Sequence, residues 1–144
     1  MNNDTVIKLF LVDDDPFYLK MLEIEFDEYE NFSVETFASG ELCLKSIHLN
    51  PLLIILDYHL NGIDKNAMNG LETLDQIKKI NPNIQVIMLS SQDKIDVAIK
   101  CMHYKATDYV VKSETAFFRL KQIISKVLHS KKIENQLSWY MDRM

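Results

Sequence analysis

Residues 52–57 read Leu-Leu-Ile-Ile-Leu-Asp: five large aliphatic side chains without a polar break, stopped by a carboxylate. The run is far shorter than the ~20 apolar residues that span a bilayer. It does not alternate, so both of its faces are expected to be buried, as in the centre of a parallel sheet. Pro51 precedes it, where a strand start needs no ladder donor. Asp57 then stands at the C-terminal end of a central strand, the edge where open α/β sheets bind ligands.

The rest of the chain supplies the partners of such a strand. Residues 6–12 form a second apolar run, ending at Asp13, Asp14 and Asp15. Pro16 opens an amphipathic stretch to about 29, with Asp15 as its cap. Residues 32–37 read as a short strand and 41–49 as a helix. Residues 58–69 are too rich in turn formers for a regular element. Helices are expected over 70–80 and 94–105, and strands over 84–89 and 108–111. Ser113 is placed to cap a last helix carrying Phe117, Leu120, Ile124, Val127 and Leu128. Strict strand–helix alternation with short connections predicts one α/β domain, a doubly wound five-stranded parallel sheet with helices on both faces. The domain is expected over 1–130, with 131–144 as an extension of the last helix or a frayed tail.

Composition narrows the function. A net charge of −5 argues against a direct nucleic-acid binder or a membrane-surface protein. No apolar signal core and no spanning segment is present, so a cytoplasmic location is the expectation. Cys43 and Cys101 form neither CxxC nor zinc spacing and read as helix-face thiols.

The strand ends carry the chemistry. Asp13 and Asp14, Asp57, Ser90 and Lys112 close four of the five expected strands, so a parallel sheet gathers them at one edge. Carboxylates this close repel one another by roughly 1 to 4 kcal/mol per pair, and one lysine only partly offsets that. A hard divalent cation does so; Mg²⁺ binds through one or two carboxylates plus phosphate oxygens and water. Cation, ammonium and hydroxyl together make a receptacle for a phosphoryl group. A carboxylate facing them is a candidate phosphoryl acceptor through an acyl phosphate.

The motifs Leu11-Val12-Asp13-Asp14-Asp15-Pro16, Ile54-Ile55-Leu56-Asp57, Met88-Leu89-Ser90-Ser91 and Ala106-Thr107-Asp108-Tyr109-Val110-Val111-Lys112 resemble, in this order, the receiver domain of two-component response regulators. The resemblance covers about residues 6–130 and implies the flavodoxin-like, CheY-like version of the sheet derived above. It implies Asp57 as phosphoacceptor and Asp14 as direct ligand of Mg²⁺ (or Mn²⁺), with Asp13 assisting and Asp57 and the His59 backbone carbonyl completing the shell. Ser90 then corresponds to the hydroxyl that bonds the transferred group, Lys112 to its pairing lysine, and Tyr109 to the aromatic switch. His59 and Gln92 fall where the family tunes the lifetime of the phosphorylated state. The implied donor is a histidine kinase or a histidine phosphotransfer protein. Output passes to a protein partner or to an output domain missing from this chain. The changed face is expected at 94–105, the last strand and the last helix. Apart from its own phosphorylation and slow dephosphorylation, no enzymatic activity is implied.

Three positions depart from the family pattern. Ser113 stands where a cis proline usually follows the lysine, and a non-proline cis bond costs ~3 kcal/mol, so a trans bond is expected. Gly70 lies thirteen residues after Asp57, which implies an insertion of about five residues within 62–68, placed to gate the site or touch a partner. Lys105 replaces the usual glycine at a helix exit that favours positive φ.

The competing readings are a degenerate receiver that binds partners without phosphorylation, and an aspartyl-phosphate phosphatase. His59 occupies the place of the latter's second aspartate. A nucleotide-binding fold is disfavoured because none of the three glycines forms GxGxxG or a P-loop. Ile133, Leu137 and Tyr140 continue the stripe of the last helix, which suggests dimerisation or partner docking through the C-terminal end.

Overall fold

The computed structural model describes residues 6–29 and 31–142, with side chains described to residue 132. Five strands, β1 (Ile7–Val12), β2 (Phe32–Phe37), β3 (Leu53–Asp57), β4 (Gln85–Ser90) and β5 (Asp108–Val111), form one all-parallel sheet in the order β2-β1-β3-β4-β5. The uninterrupted aliphatic run is the central strand β3, buried at every position. The helices are α1 (Pro16–Asp27), α2 (Gly40–Lys45), α3 (Gly70–Ile80), α4 (Ile95–His103) and α5 (Ala116–Asp142).

Side chains alternate across a strand, and the two faces bury separate cores. Phe10, Val12, Ile54, Leu56, Val86 and Met88 pack with Cys43, Leu74, Ile77, Val97 and Cys101, from α2, α3 and α4. Leu9, Leu11, Ile55, Ile87 and Leu89 pack with Leu22, Phe26, Leu120 and Ile124, from α1 and α5. The doubly wound, flavodoxin-like fold expected from the sequence is the one observed. Burial pushes the thiol of Cys43 up to about 12 and that of Cys101 up to about 11, so both are inert core groups.

Local chemistry sets the boundaries. Asp15 caps α1, accepting from the Phe17 and Tyr18 amides, with Pro16 at the first helical position. Asn69 and Glu72 form a capping box on α3. The helix expected over 41–49 breaks after Lys45; a 3-10 turn, Ile47–Leu49, follows and ends at Asn50 with φ 56°. Ser113 is not the cap expected of it: α5 begins at Ala116, whose amide donates to the Ser113 carbonyl, while the Ser113 hydroxyl bonds that of Thr115. The peptide bonds are all trans among the described residues, Lys112–Ser113 included, and Lys105 takes φ 75°, both as expected. The side chains of Ile133, Leu137 and Tyr140, and with them the proposed stripe, lie outside the described residues. No described helix is long and apolar enough to cross a membrane.

Candidate functional site

The parallel sheet brings the C-terminal ends of β1, β3, β4 and β5 to one edge, and four of the polar residues there are mostly buried. Asp13 is 1 % exposed, Asp57 3 % and Ser90 0 %. Lys112 Nζ lies 2.9 Å from Asp13 Oδ2 and 3.4 Å from Asp57 Oδ1. Below the ammonium is the ring of Tyr18, its centroid 4.3 Å away. Tyr18 in turn packs edge-on against Phe117, ring centroids 5.9 Å apart. Tyr18 was not anticipated; an aromatic in the first turn of an amphipathic helix carries no sequence mark distinguishing a lysine platform from core packing.

Asp13, Asp14 and Asp57 each present a carboxylate oxygen, all within 4.8 Å of one another. Burial first, then the neighbouring Asp13, pushes the Asp57 carboxyl up to about 8. For Lys112 burial acts downward, but Asp57 and Asp13 outweigh it and hold the ammonium above its usual value. One ammonium thus faces three carboxylates, and its contacts go to two of them. The residual negative charge and the all-oxygen donor set fit a hard divalent cation of the Mg²⁺ kind.

Asp14 is held differently. Its Oδ2 accepts from the Gly62 amide at 3.0 Å and the Ile63 amide at 3.4 Å, both in the polar segment after β3. That segment leaves at Tyr58 and returns at Gly70, whose amide donates to the Tyr58 carbonyl at 2.9 Å. A Cβ on Gly70 would meet the Asp57 carbonyl oxygen at 2.3 Å and Tyr58 Cα at 2.6 Å, so the start of α3 packs directly on the backbone of Asp57.

Across the mouth, the His59 amide donates to Asp57 Oδ1 at 3.3 Å and the Gln92 amide to the Ser90 hydroxyl at 3.0 Å. The side chains of His59 and Gln92 meet, their Nε2 atoms 2.9 Å apart. The Tyr109 hydroxyl donates to the Gln92 carbonyl. Burial raises this phenol's pKa, and the neighbouring Ser90 hydroxyl acts against that. The seven other residues singled out from the sequence are thus gathered around Asp57. The backbone donors of Gly62 and Ile63 were missed, because an amide has no signature in sequence.

The response regulator receiver domain, as a family, matches residues 9–127. Among curated proteins the chain is similar to the nitrogen assimilation regulatory protein NtrX of Azorhizobium caulinodans, 30% identical over 90% of this chain and 28% of that protein. It is also similar to the protein-glutamate methylesterase/protein-glutamine glutaminase of Geobacillus kaustophilus, 32% identical over 86% of this chain and 36% of that one. The chain therefore spans about a third of the length of these relatives. Among solved structures, the BeF3-activated receiver domain of DrrB from Thermotoga maritima superposes with a TM-score of 0.70 at 27% identity, covering 83% of this chain and 98% of that one.

Proposed function

Because the chain belongs to the response regulator receiver family, a family of two-component signalling, we propose that it is a phosphorylation-dependent switch with Asp57 as phosphoacceptor. The observation that carries this reading is the approach of Lys112 to both Asp13 and Asp57 at the buried end of the central strand. In the transfer, a carboxylate oxygen of Asp57 attacks the phosphorus of a phosphohistidine on a histidine kinase or phosphotransfer protein. A P–O bond forms, the P–N bond breaks, and the imidazole leaves with the electron pair.

Asp13, Asp14, Asp57 and the backbone carbonyl of His59 would hold Mg²⁺ or Mn²⁺, which when bound supplies positive charge to the carboxylates and the phosphoryl oxygens. Lys112 pairs with an equatorial oxygen, held in aim by Asp13 and the Tyr18 ring. The Ser90 hydroxyl donates to another. Drawing Ser90 toward the phosphoryl group disturbs its bond from the Gln92 amide, and the Gln92 carbonyl in turn accepts from the Tyr109 hydroxyl, which links the site to β5 and α4. There Ile95 and Ile99 are 77 % and 62 % exposed and Met102 follows at helical spacing, an apolar face suited to a protein partner. Output through such a partner, or through a further domain as in the longer relatives, fits this face; self-association through α5 is a further route, tested by the molar mass of a chain ending at 130.

The test is incubation with Mg²⁺ and acetyl phosphate, read by intact mass. A single phosphoryl adduct that disappears in Asp57→Asn and with chelator is the expected result. No adduct on the folded protein overturns the reading and leaves the phosphorylation-independent interaction module.

A further inference from the structure

Two carboxylates tie down the segment after β3, and they do so at opposite ends. Asp14 Oδ2 accepts from Gly62 and Ile63 at 3.0 and 3.4 Å. Glu41 Oε2, from the first turn of α2, accepts from the Met68 amide at 2.8 Å. Between them Asp64 closes a local turn, accepting from the Asn66 amide at 3.0 Å and, through its carbonyl, from Ala67 at 3.1 Å. The segment thereby roofs a cavity of about 280 Å³ lined by Asp14, Ser39, Glu41, Leu60, Ile63 and Asp64. Lys112 does not contact Asp14. The amides of this segment are what orient it.

Resting on the cation site proposed above, we propose that residues 61–68 are a clamp that aims the Asp14 carboxylate at the divalent cation, with Gly62 and Glu41 as its positioning residues. A carboxylate that accepts two amide hydrogen bonds on one oxygen keeps its other oxygen for a metal in a fixed direction, and such supporting contacts set metal affinity. Gly62 suits this place by size: a Cβ there would stand 3.2 Å from Asp14 Oδ2, and its φ is not positive. Glu41 holds the far end, so that the roof cannot lift and carry the two amides away. Binding is reciprocal: a cation that draws on an oriented Asp14 also steadies the segment.

The test is calorimetric titration of Mg²⁺ into the wild type, Glu41→Ala, Glu41→Gln and Gly62→Ala, checked by Mn²⁺ paramagnetic resonance. Glu41→Ala and Gly62→Ala are expected to bind about 10-fold more weakly, the lower edge of what lost supporting contacts cost. Glu41→Gln keeps an acceptor for the Met68 amide and stays near wild type. Equal affinity in all four chains, or tighter binding in Glu41→Ala, overturns the clamp while leaving the cation site standing. A wild type that binds no Mg²⁺ overturns both. Should a variant fail to fold, hydrogen exchange in the unmodified chain decides: the Gly62 and Ile63 amides slow when Mg²⁺ saturates, and unchanged exchange there overturns the clamp.

Discussion

The side chains of His59 and Gln92 meet beside Asp57: their Nε2 atoms are 2.9 Å apart, and each residue's own amide is bonded to a site side chain, Asp57 and Ser90 respectively. With the Gln92 amide group donating, the imidazole accepts at Nε2 and carries its proton on Nδ1. On the phosphorylation proposed above, the pair is expected to cover the approach of water to the acyl phosphate. His59→Ala and Gln92→Ala are each expected to shorten the lifetime of the phosphorylated state by about 2- to 10-fold, the rate equivalent of one net hydrogen bond. Formation of the adduct persists. The decay of the intact-mass adduct after acetyl phosphate is removed is the measurement; unchanged decay in both variants rules the cover out.

Asp57 makes stability depend on pH in a defined direction. Its folded pKa, about 8, lies above the ordinary value of 3.8, because burial and Asp13 disfavour the charge. The folded state therefore binds more protons than the unfolded state between these values. Its contribution to stability is present below about pH 4 and is lost as pH rises toward 8. In chelator, Asp57→Asn should raise the Tm at pH 8 and raise it far less at pH 5. Thermal scans of both chains at the two pH values test this, and an equal shift at both would refute it.

Much of this architecture was legible because burial and charge leave marks in sequence. The unbroken run before Asp57 announced a strand buried on both faces, and the carboxylates after Val12 announced the same sheet edge. Positive φ at Lys105 was readable only through the family resemblance, because a lysine stood where the family pattern has glycine. What was missed rests on groups with no such mark. The Gly62 and Ile63 amides are backbone, common to every residue. Tyr18 is one aromatic among several in α1, and only the fold brings its ring beneath Lys112. The 41–49 helix breaks at Ser46, whose backbone leaves the helical region, and continues only as a 3-10 turn, a local geometry that apolar spacing does not report.

Lys105 ends α4 at φ 75°, a region where a Cβ crowds its own backbone by roughly 1 to 2 kcal/mol. Lys105→Gly relieves this but gains freedom in the unfolded chain. The net expectation is stabilisation of about 0.5 to 1 kcal/mol. Urea denaturation measures it; a destabilised variant would show that the lysine side chain contributes more than the backbone loses.

Gly70 is a packing constraint on the Asp57 backbone. A methyl at this position would stand 2.3 Å from the Asp57 carbonyl oxygen and 2.8 Å from that of Tyr58, both backbone atoms that cannot swing aside. Gly70→Ala should cost about 1 to 3 kcal/mol, the usual range for overpacking. It should also slow phosphorylation, since the strain falls on the peptide that aims Asp57. Wild-type stability together with a wild-type rate would show that α3 shifts freely away from β3.

Tyr18 contributes its ring rather than its hydroxyl. The Lys112 ammonium sits 4.3 Å from the ring centroid while bonded to Asp13, so the ring face attracts the cation from a second side. Tyr18→Phe keeps the aromatic face and should phosphorylate as wild type. Tyr18→Leu keeps apolar bulk against Phe117 but loses the face, worth about 0.5 to 2 kcal/mol at a partly desolvated site. The acetyl phosphate reaction of Tyr18→Leu should therefore slow about 2- to 30-fold. Equal rates in both variants would mean that Asp13 alone aims the lysine. A loss in Tyr18→Phe as large as in Tyr18→Leu would move the role to the phenol oxygen.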